Sequence, residues 1–229
     1  MRGAIMQPYF FPYIGYYQLA YEVERFVFLD DVNYIKKGFI NRNAILLQNE
    51  RHEFSVPVEK ISQNRAINKH NYTGEFSKFL SLIWQAYKKA PFFEQVMPLV
   101  ESVVRDGDNN VARKNAKSLT AVFSYLGIER EYILSSDIAL EAEKKGQDRI
   151  LALCKKLNIN QYRNAIGGQK LYDATIFNSA GVELKFINSK ISPYLQDKNV
   201  FVSHLSIIDV LMYCNKEEIT TMLKDYSLE

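Results

Sequence analysis

The chain has 229 residues, of which 47% are hydrophobic and 24% charged, with a formal net charge of +3. That composition supports a sizeable core, and the charge suits a small anionic ligand while falling short of the dense basic footprint of nucleic-acid binders. No apolar run approaches the roughly 18 residues of a membrane span, and Cys154 and Cys214 form neither a metal-type pair nor a disulfide framework. The opening strand runs into Gln-Pro-Tyr, with no signal-peptide cleavage site, so a cytoplasmic protein without a membrane span is expected.

The apolar run Ala4-Ile5-Met6 predicts a buried strand that stops at Gln7-Pro8, because proline cannot donate to a ladder and the residue before it avoids helix. Tyr9, Phe10, Phe11, Pro12 and Tyr13 crowd the turn before a helix over 15–24. Phe26-Val27-Phe28-Leu29 then forms a second strand ending in Asp30-Asp31. Strand, helix and strand in about thirty residues is a βαβ unit with a parallel pair. Residues 44–58 read as a β-hairpin with a polar turn at 48–51. Residues 59–72 read as a long loop, a length typical of lids and binding elements. Three helical stripes follow, the first from Phe76 to Tyr87, the second from Val96 to Val104 and the third from Leu119 to Leu126, where Gly127 is a C-terminal cap. Strands at 131–134, 161–165 and 182–187 then alternate with helices at 148–157 and 171–180. Helices at 206–213 and 216–224 complete the pattern. An α/β fold with a central parallel sheet is expected, as one domain over 1–229 with a hairpin and loop insertion at 40–72 and a helical subdomain at 73–127.

In such sheets the loops after the strands border the ligand crevice. Gln7, Tyr9 and Tyr13 in the first of them are candidates for touching a flat, polar ligand. Asp30 and Asp31 end the second strand, where adjacent acids repel and one can hold a raised pKa or bind a hydroxyl-rich or cationic group. They are the candidate catalytic carboxylates, with Lys36 placed to neutralise them or to meet phosphate. Capping by one aspartate and solvent exposure of the lysine is the plainer alternative. In Asn41-Arg42-Asn43 a planar guanidinium fork suits phosphate or carboxylate, and the flanking amides add neutral hydrogen bonds. Arg149 lies at the start of a helix. Gly167, Gly168 and Gln169 lie where a strand turns into a helix, so their backbone N–H groups can hold an anion, although a tight turn also explains the glycines. Ser203 or Ser206 can cap the helix that follows, and a capping serine can sit near a phosphate. His52, His70 and His204 are scattered, and no metal site is expected.

The run Ile5-Met6-Gln7-Pro8-Tyr9-Phe10-Phe11-Pro12-Tyr13-Ile14-Gly15-Tyr16 carries a resemblance, together with Asp30-Asp31-Val32-Asn33-Tyr34-Ile35-Lys36, Asn41-Arg42-Asn43, Lys145-Gly146-Gln147-Asp148-Arg149-Ile150, Ile166-Gly167-Gly168-Gln169 and residues 205–212. Together they resemble the WbqC-like protein family almost from end to end. Asn33 and Phe39 stand where the family pattern leads to glutamine and tryptophan, and His204 lacks a neighbouring proline, departures that bear on substrate preference. The resemblance implies a place in bacterial surface-polysaccharide (O-antigen) gene sets, where amino sugars carry unusual N-linked groups. It carries over no assigned catalytic residue.

The turn Pro12-Tyr13-Ile14-Gly15-Tyr16 is also similar to that of the nucleotidyltransferase superfamily, where a proline and a His-x-Gly-His sequence hold nucleoside-triphosphate phosphates at a helix N-terminus. Here tyrosines replace both histidines, so positive charge for activating ATP falls to Lys36, Arg42 or Arg149. This likeness concerns fold more than chemistry, and it makes the expected sheet Rossmann-like or nucleotidyltransferase-like. The expected activity is amide formation between a small acyl or aminoacyl donor, such as glycyl, and the amine of a nucleotide-linked amino sugar, with an aspartate taking the ammonium proton. ATP and magnesium are required only if the donor is activated in situ. The alternatives are a non-catalytic nucleotide-sugar-binding protein and a metal-dependent, glycosyltransferase-like enzyme using Asp30-Asp31.

Overall fold

The computed structural model describes residues 1–140, 144–197 and 200–229. Strand β1 (Arg2–Met6), helix α1 (Ile14–Glu22) and strand β2 (Arg25–Phe28) form the βαβ unit, with Gly3 through Met6 paired in parallel to Arg25 through Phe28. Side chains alternate across these strands. Ala4, Phe26 and Phe28 enter the core shared with α1, whereas Ile5 and Val27 face a second core with Ile150, Leu153 and Phe177. Burying a ring such as Phe26 contributes roughly 1.5–3 kcal/mol. A one-residue slip would exchange both faces, so this register is strongly specified.

The hairpin consists of β3 (Arg42–Leu47) and β4 (Glu50–Ser55). Its turn is shorter than the expected 48–51, because Gln48 and Asn49 both take positive φ, at 53° and 65°. Two such residues make the primed turn that matches strand twist, and they leave Arg51 inside β4, opposite Leu46. Helices α2 (Ser77–Tyr87), α3 (Phe93–Val104) and α4 (Val111–Tyr125) follow, and their apolar stripes pack into the α1 core. Between hairpin and α2, the stretch read as a plain loop contains a 3-10 turn at Ile67–Lys69 and is tied by bridges between Asn33 and Ala66 and between Val58 and Tyr72. His70 holds it from inside, with Nδ1 donating to the Ala66 carbonyl (2.8 Å) and Nε2 accepting the Ser62 N–H (3.1 Å). Burial lowers its pKa and favours that neutral form.

The sheet is completed by β5 (Glu131–Leu134), α5 (Gly146–Lys156), β6 (Gln161–Ala165), α6 (Ala174–Ser179) and β7 (Glu183–Ser189). Helices α7 (Ile207–Tyr213) and α8 (Lys216–Met222) lead to β8 (Tyr226–Leu228). The order is β5-β2-β1-β6-β7-β8, parallel except for β8, a short antiparallel edge strand that the sequence reading did not anticipate. Strand order reverses between β1 and β6, which makes that junction the switch point where open α/β sheets bind ligands. The helix expected over 171–180 is reduced to α6. Before it, Ile166–Leu171 forms a 3-10 turn, so Gly167 and Gly168 do not open an α-helix.

Candidate functional site

The turn after β1 is pinned in an unusual conformation. Phe11 has a φ of 41°, a left-handed value seldom taken by a bulky residue. Its N–H donates to Ser118 Oγ (3.1 Å), and its carbonyl accepts from Asn43 Nδ2 (2.6 Å) and Ser206 Oγ (2.7 Å). Asn115 Nδ2 donates to the Pro8 carbonyl (3.0 Å), and the Tyr16 hydroxyl to that of Gln7 (2.7 Å). A Cβ on Gly15 would lie 2.4 Å from the Tyr13 ring and 2.6 Å from Ser189 Oγ. The glycine thus lets the ring fold back over the start of α1.

Beside this turn lies a cavity of about 480 Å³, within the size range of small-molecule sites. Tyr9, Pro12 and Tyr13 form one wall; Phe39, Asn43 and Arg51 come from the hairpin and its approach, and Ser203 and His204 complete it. The Tyr9 and Phe39 rings lie 5.9 Å apart, and those of Tyr13 and His204 6.1 Å apart with their planes at 32°. Burial raises the pKa of both tyrosines, keeping their hydroxyls neutral, and among the described residues neither has a hydrogen-bond partner. Arg51 donates to the His204 carbonyl (3.2 Å) and pairs with Glu53 at 3.5 Å.

The segment carrying Ser203 and His204 hangs on a buried carboxylate. Asp209 accepts from the hydroxyls of Tyr87 (2.7 Å) and Tyr194 (2.5 Å) and from Gln196 Nε2 (2.6 Å). Gln196 also accepts the Val202 N–H at 2.7 Å. Burial outweighs these bonds and raises the Asp209 pKa.

Asp30 and Asp31 stand on the same carboxyl rim, in different roles. Asp30 is buried and saturated: Ser136 N–H (2.9 Å), Ser136 Oγ (2.7 Å), Asn68 Nδ2 (3.0 Å) and Ser135 Oγ (3.0 Å) all lie against its carboxylate. It joins β2 to the turn after β5 and to the loop before α2. Asp31 is partly open, with 25% of its side chain exposed, and pairs with Arg149 at the start of α5. The Ser135 hydroxyl is 2.5 Å from Asp31 and can donate its one proton to either aspartate. Arg149 Nε is buried without a partner among the described residues.

Of the other sequence candidates, Tyr9, Tyr13 and Asn43 line the cavity, although both polar ends of the Asn43 amide are already bonded, to Phe11 and to its own neighbour Ala44. Gln7 directly follows β1, and its carboxamide has no hydrogen-bond partner among the described residues. Asn41 is buried, accepting from Tyr34 Oη (2.7 Å) and donating to the Val56 carbonyl (2.8 Å). Arg42 is engaged by Glu53 (3.0 Å) and the Lys37 carbonyl (3.3 Å). Lys36, Gly167 and Gln169 are exposed, Gly168 is half-buried against Asn164, and Ser206 is buried as the cap of α7. Of the loop between β2 and β3, Phe39 lines the ring-walled cavity but Asp30, Asp31 and Lys36 do not, and no residue of the Gly167 turn lines it. A larger hollow of about 810 Å³ runs along α5 to Asn160 and Val182, at the amino ends of β6 and β7 and away from the rim.

Sequence reasoning passed over Arg51, Ser135, Asn68 and Asn115, and it gave Ser203 only as an alternative helix cap and His204 no binding role. Arg51 was legible once the turn is shortened to two residues, because it then shares a hairpin face with Arg42 and Glu53. Among the described residues, no group of three or more His, Cys, Asp or Glu side chains is arranged to hold a metal ion, and no helix is long and apolar enough to cross a membrane.

These features describe a doubly wound α/β protein with a ligand-sized, ring-walled cavity beside its switch point. The chain belongs to the WbqC-like protein family, which matches residues 7–221. It is similar to Uncharacterized protein Rv1507c of Mycobacterium tuberculosis (strain ATCC 25618 / H37Rv), with 25% identity over 223 residues, 94% of this chain and 95% of the relative. No solved structure matches it.

Proposed function

We propose that this protein is an enzyme of surface-polysaccharide (O-antigen) biosynthesis that binds a nucleotide-linked amino sugar at the carboxyl rim. It joins the sugar's amine to a small acyl or aminoacyl group, glycyl being the simplest. The observation that carries the reading is the cavity walled by Tyr9, Tyr13, Phe39 and His204. Rings on facing walls suit a planar base, and the Arg51 fork suits a phosphate. In this reading Gln7, Asp31 and Arg149 extend the site along the rim.

A second reading, a non-catalytic nucleotide-sugar-binding protein, is favoured by one feature. Asp30 is fully bonded and Asp31 is held by Arg149 and Ser135, so neither carboxylate is poised as a free base. Mass spectrometry decides between them, using amino-sugar nucleotides with glycine and ATP, or with preactivated acyl donors. An acyl mass gain on the sugar supports the enzyme. Calorimetric binding without a mass gain from any donor supports the binding protein, and absence of binding removes both. A gain that needs ATP and magnesium distinguishes in situ activation from a preactivated donor.

A further inference from the structure

Among the described residues lining the cavity, His204 is the one with an imidazole, a side-chain type used as a general base. The other polar groups there are the Arg51 guanidinium, which stays charged, the Tyr9 and Tyr13 phenols, which burial keeps protonated, the Ser203 hydroxyl and the Asn43 amide. Among the described residues, no carboxylate lines the wall.

The backbone and ring of His204 are held at several points. Its φ is 59°, in the left-handed region. Its carbonyl accepts from Arg51 (3.2 Å), and its ring faces Tyr13. Nδ1 lies 2.8 Å from Ser203 Oγ. When Nδ1 carries the ring proton and donates to Ser203, Nε2 is left with its lone pair, and among the described residues Nε2 has no partner. An imidazole with one nitrogen bonded and the other open is the arrangement of a general base.

We propose that His204 Nε2 is the base that deprotonates the acceptor ammonium, with Ser203 as the positioning residue that fixes the ring. This rests on the acyl-transfer reading above. Nε2 takes one proton from the sugar ammonium and leaves a neutral amine. The amine lone pair then forms the N–C bond at the activated acyl carbon. The donor's leaving group departs with its bonding electrons, and the second proton released from nitrogen passes to solvent. Among the described residues, the other charged and titratable groups lining the same cavity are Tyr9, Tyr13 and Arg51, the last partnered by Glu53.

The test compares the full-length protein with its His204→Asn and Ser203→Ala variants, since asparagine tolerates left-handed backbone. The substrates are the amino-sugar nucleotide and activated acyl donor that give product with the unaltered chain. Removing a general base lowers rate by about 10²–10⁴-fold. The expected result for His204→Asn is therefore a kcat loss of at least about 100-fold, a KM nearly unchanged, loss of the acidic limb of the pH–rate profile, and partial rescue by added imidazole. Ser203→Ala should keep that limb and lose less rate. An active His204→Asn variant with an unchanged pH profile overturns the role of His204 alone. Absence of product from the unaltered chain with every donor, while it still binds the nucleotide sugar, overturns the acyl-transfer reading and this proposal with it.

Discussion

The Asn43 carboxamide donates to the Phe11 carbonyl at 2.6 Å, joining the first residues of the hairpin to the strained turn after β1. Both residues are buried, so the bond is shielded from water. Left-handed backbone at a bulky residue costs on the order of 1–3 kcal/mol and persists only when its surroundings enforce it.

Asn43→Ala removes one of the three side chains that hold the Phe11 peptide. The Phe11 carbonyl keeps its bond from Ser206 Oγ, so the loss is that of one hydrogen bond, roughly 0.5–1.5 kcal/mol. Urea unfolding should show a loss in that range, with nucleotide-sugar affinity reduced as well, because Tyr9 and Tyr13 flank the released turn.

Asp30 and Asp31 should separate cleanly. Asp30→Ala strands donors from Ser135, Ser136 and Asn68, and bonds to a charged acceptor are worth about 1.5–3 kcal/mol each. The variant should be severely destabilised in denaturant melts. Asp31→Asn keeps its shape at a partly open position, so its melt should move by less than about 1 kcal/mol while product formation falls.

Two arginines are candidates for the phosphate of the proposed nucleotide-sugar ligand. Arg51 lines the cavity, whereas Arg42 is turned onto Glu53 and the Lys37 carbonyl. Calorimetry with an amino-sugar nucleotide should show Arg51→Ala weakening binding about tenfold, roughly 1.4 kcal/mol, with Arg42→Ala close to the unaltered chain. The reverse order would assign the phosphate to Arg42.

The raised pKa of Asp209 fixes the sign of a pH effect. Between its ordinary value of 3.8 and the raised folded value, the native state binds more proton than the unfolded chain. This group's contribution to stability therefore falls as pH rises through that window, by up to about 1.4 kcal/mol per pH unit. Asp209→Asn cannot titrate, so the difference in unfolding free energy, variant minus unaltered chain, should increase with pH there. A difference independent of pH would show that Asp209 titrates as it does in the unfolded chain.

Patterns of short range made most of the sheet legible. The apolar run Phe26-Val27-Phe28-Leu29 marked β2, and the stop at Gln7-Pro8 ended β1 within a residue. What escaped depends on distant partners. Asn115 and Ser118 sit on the buried side of α4 because the carbonyls of Pro8 and Ile40 and the N–H of Phe11 need them. Nothing within α4 itself reports those groups. Gly167-Gly168 misled because glycine supports a 3-10 turn as readily as a helix start. The three residues of β8 carry too little period for strand recognition, and their register comes from Ile187, Asn188 and Ser189. The aromatic turn was legible as a site by its composition. Its opposite wall, His204, lies nearly two hundred positions along the chain and only topology brings the two together.

Because the cavity is assembled from residues 9–13, 39–51 and 203–204, an occupant must leave before the chain can come apart. Any molecule that fits therefore raises the midpoint temperature, by a free energy that reaches about 4.1 kcal/mol at a thousandfold excess over Kd. Thermal-shift screening of metabolite libraries thus reads occupancy directly, whether or not the compound is ever turned over.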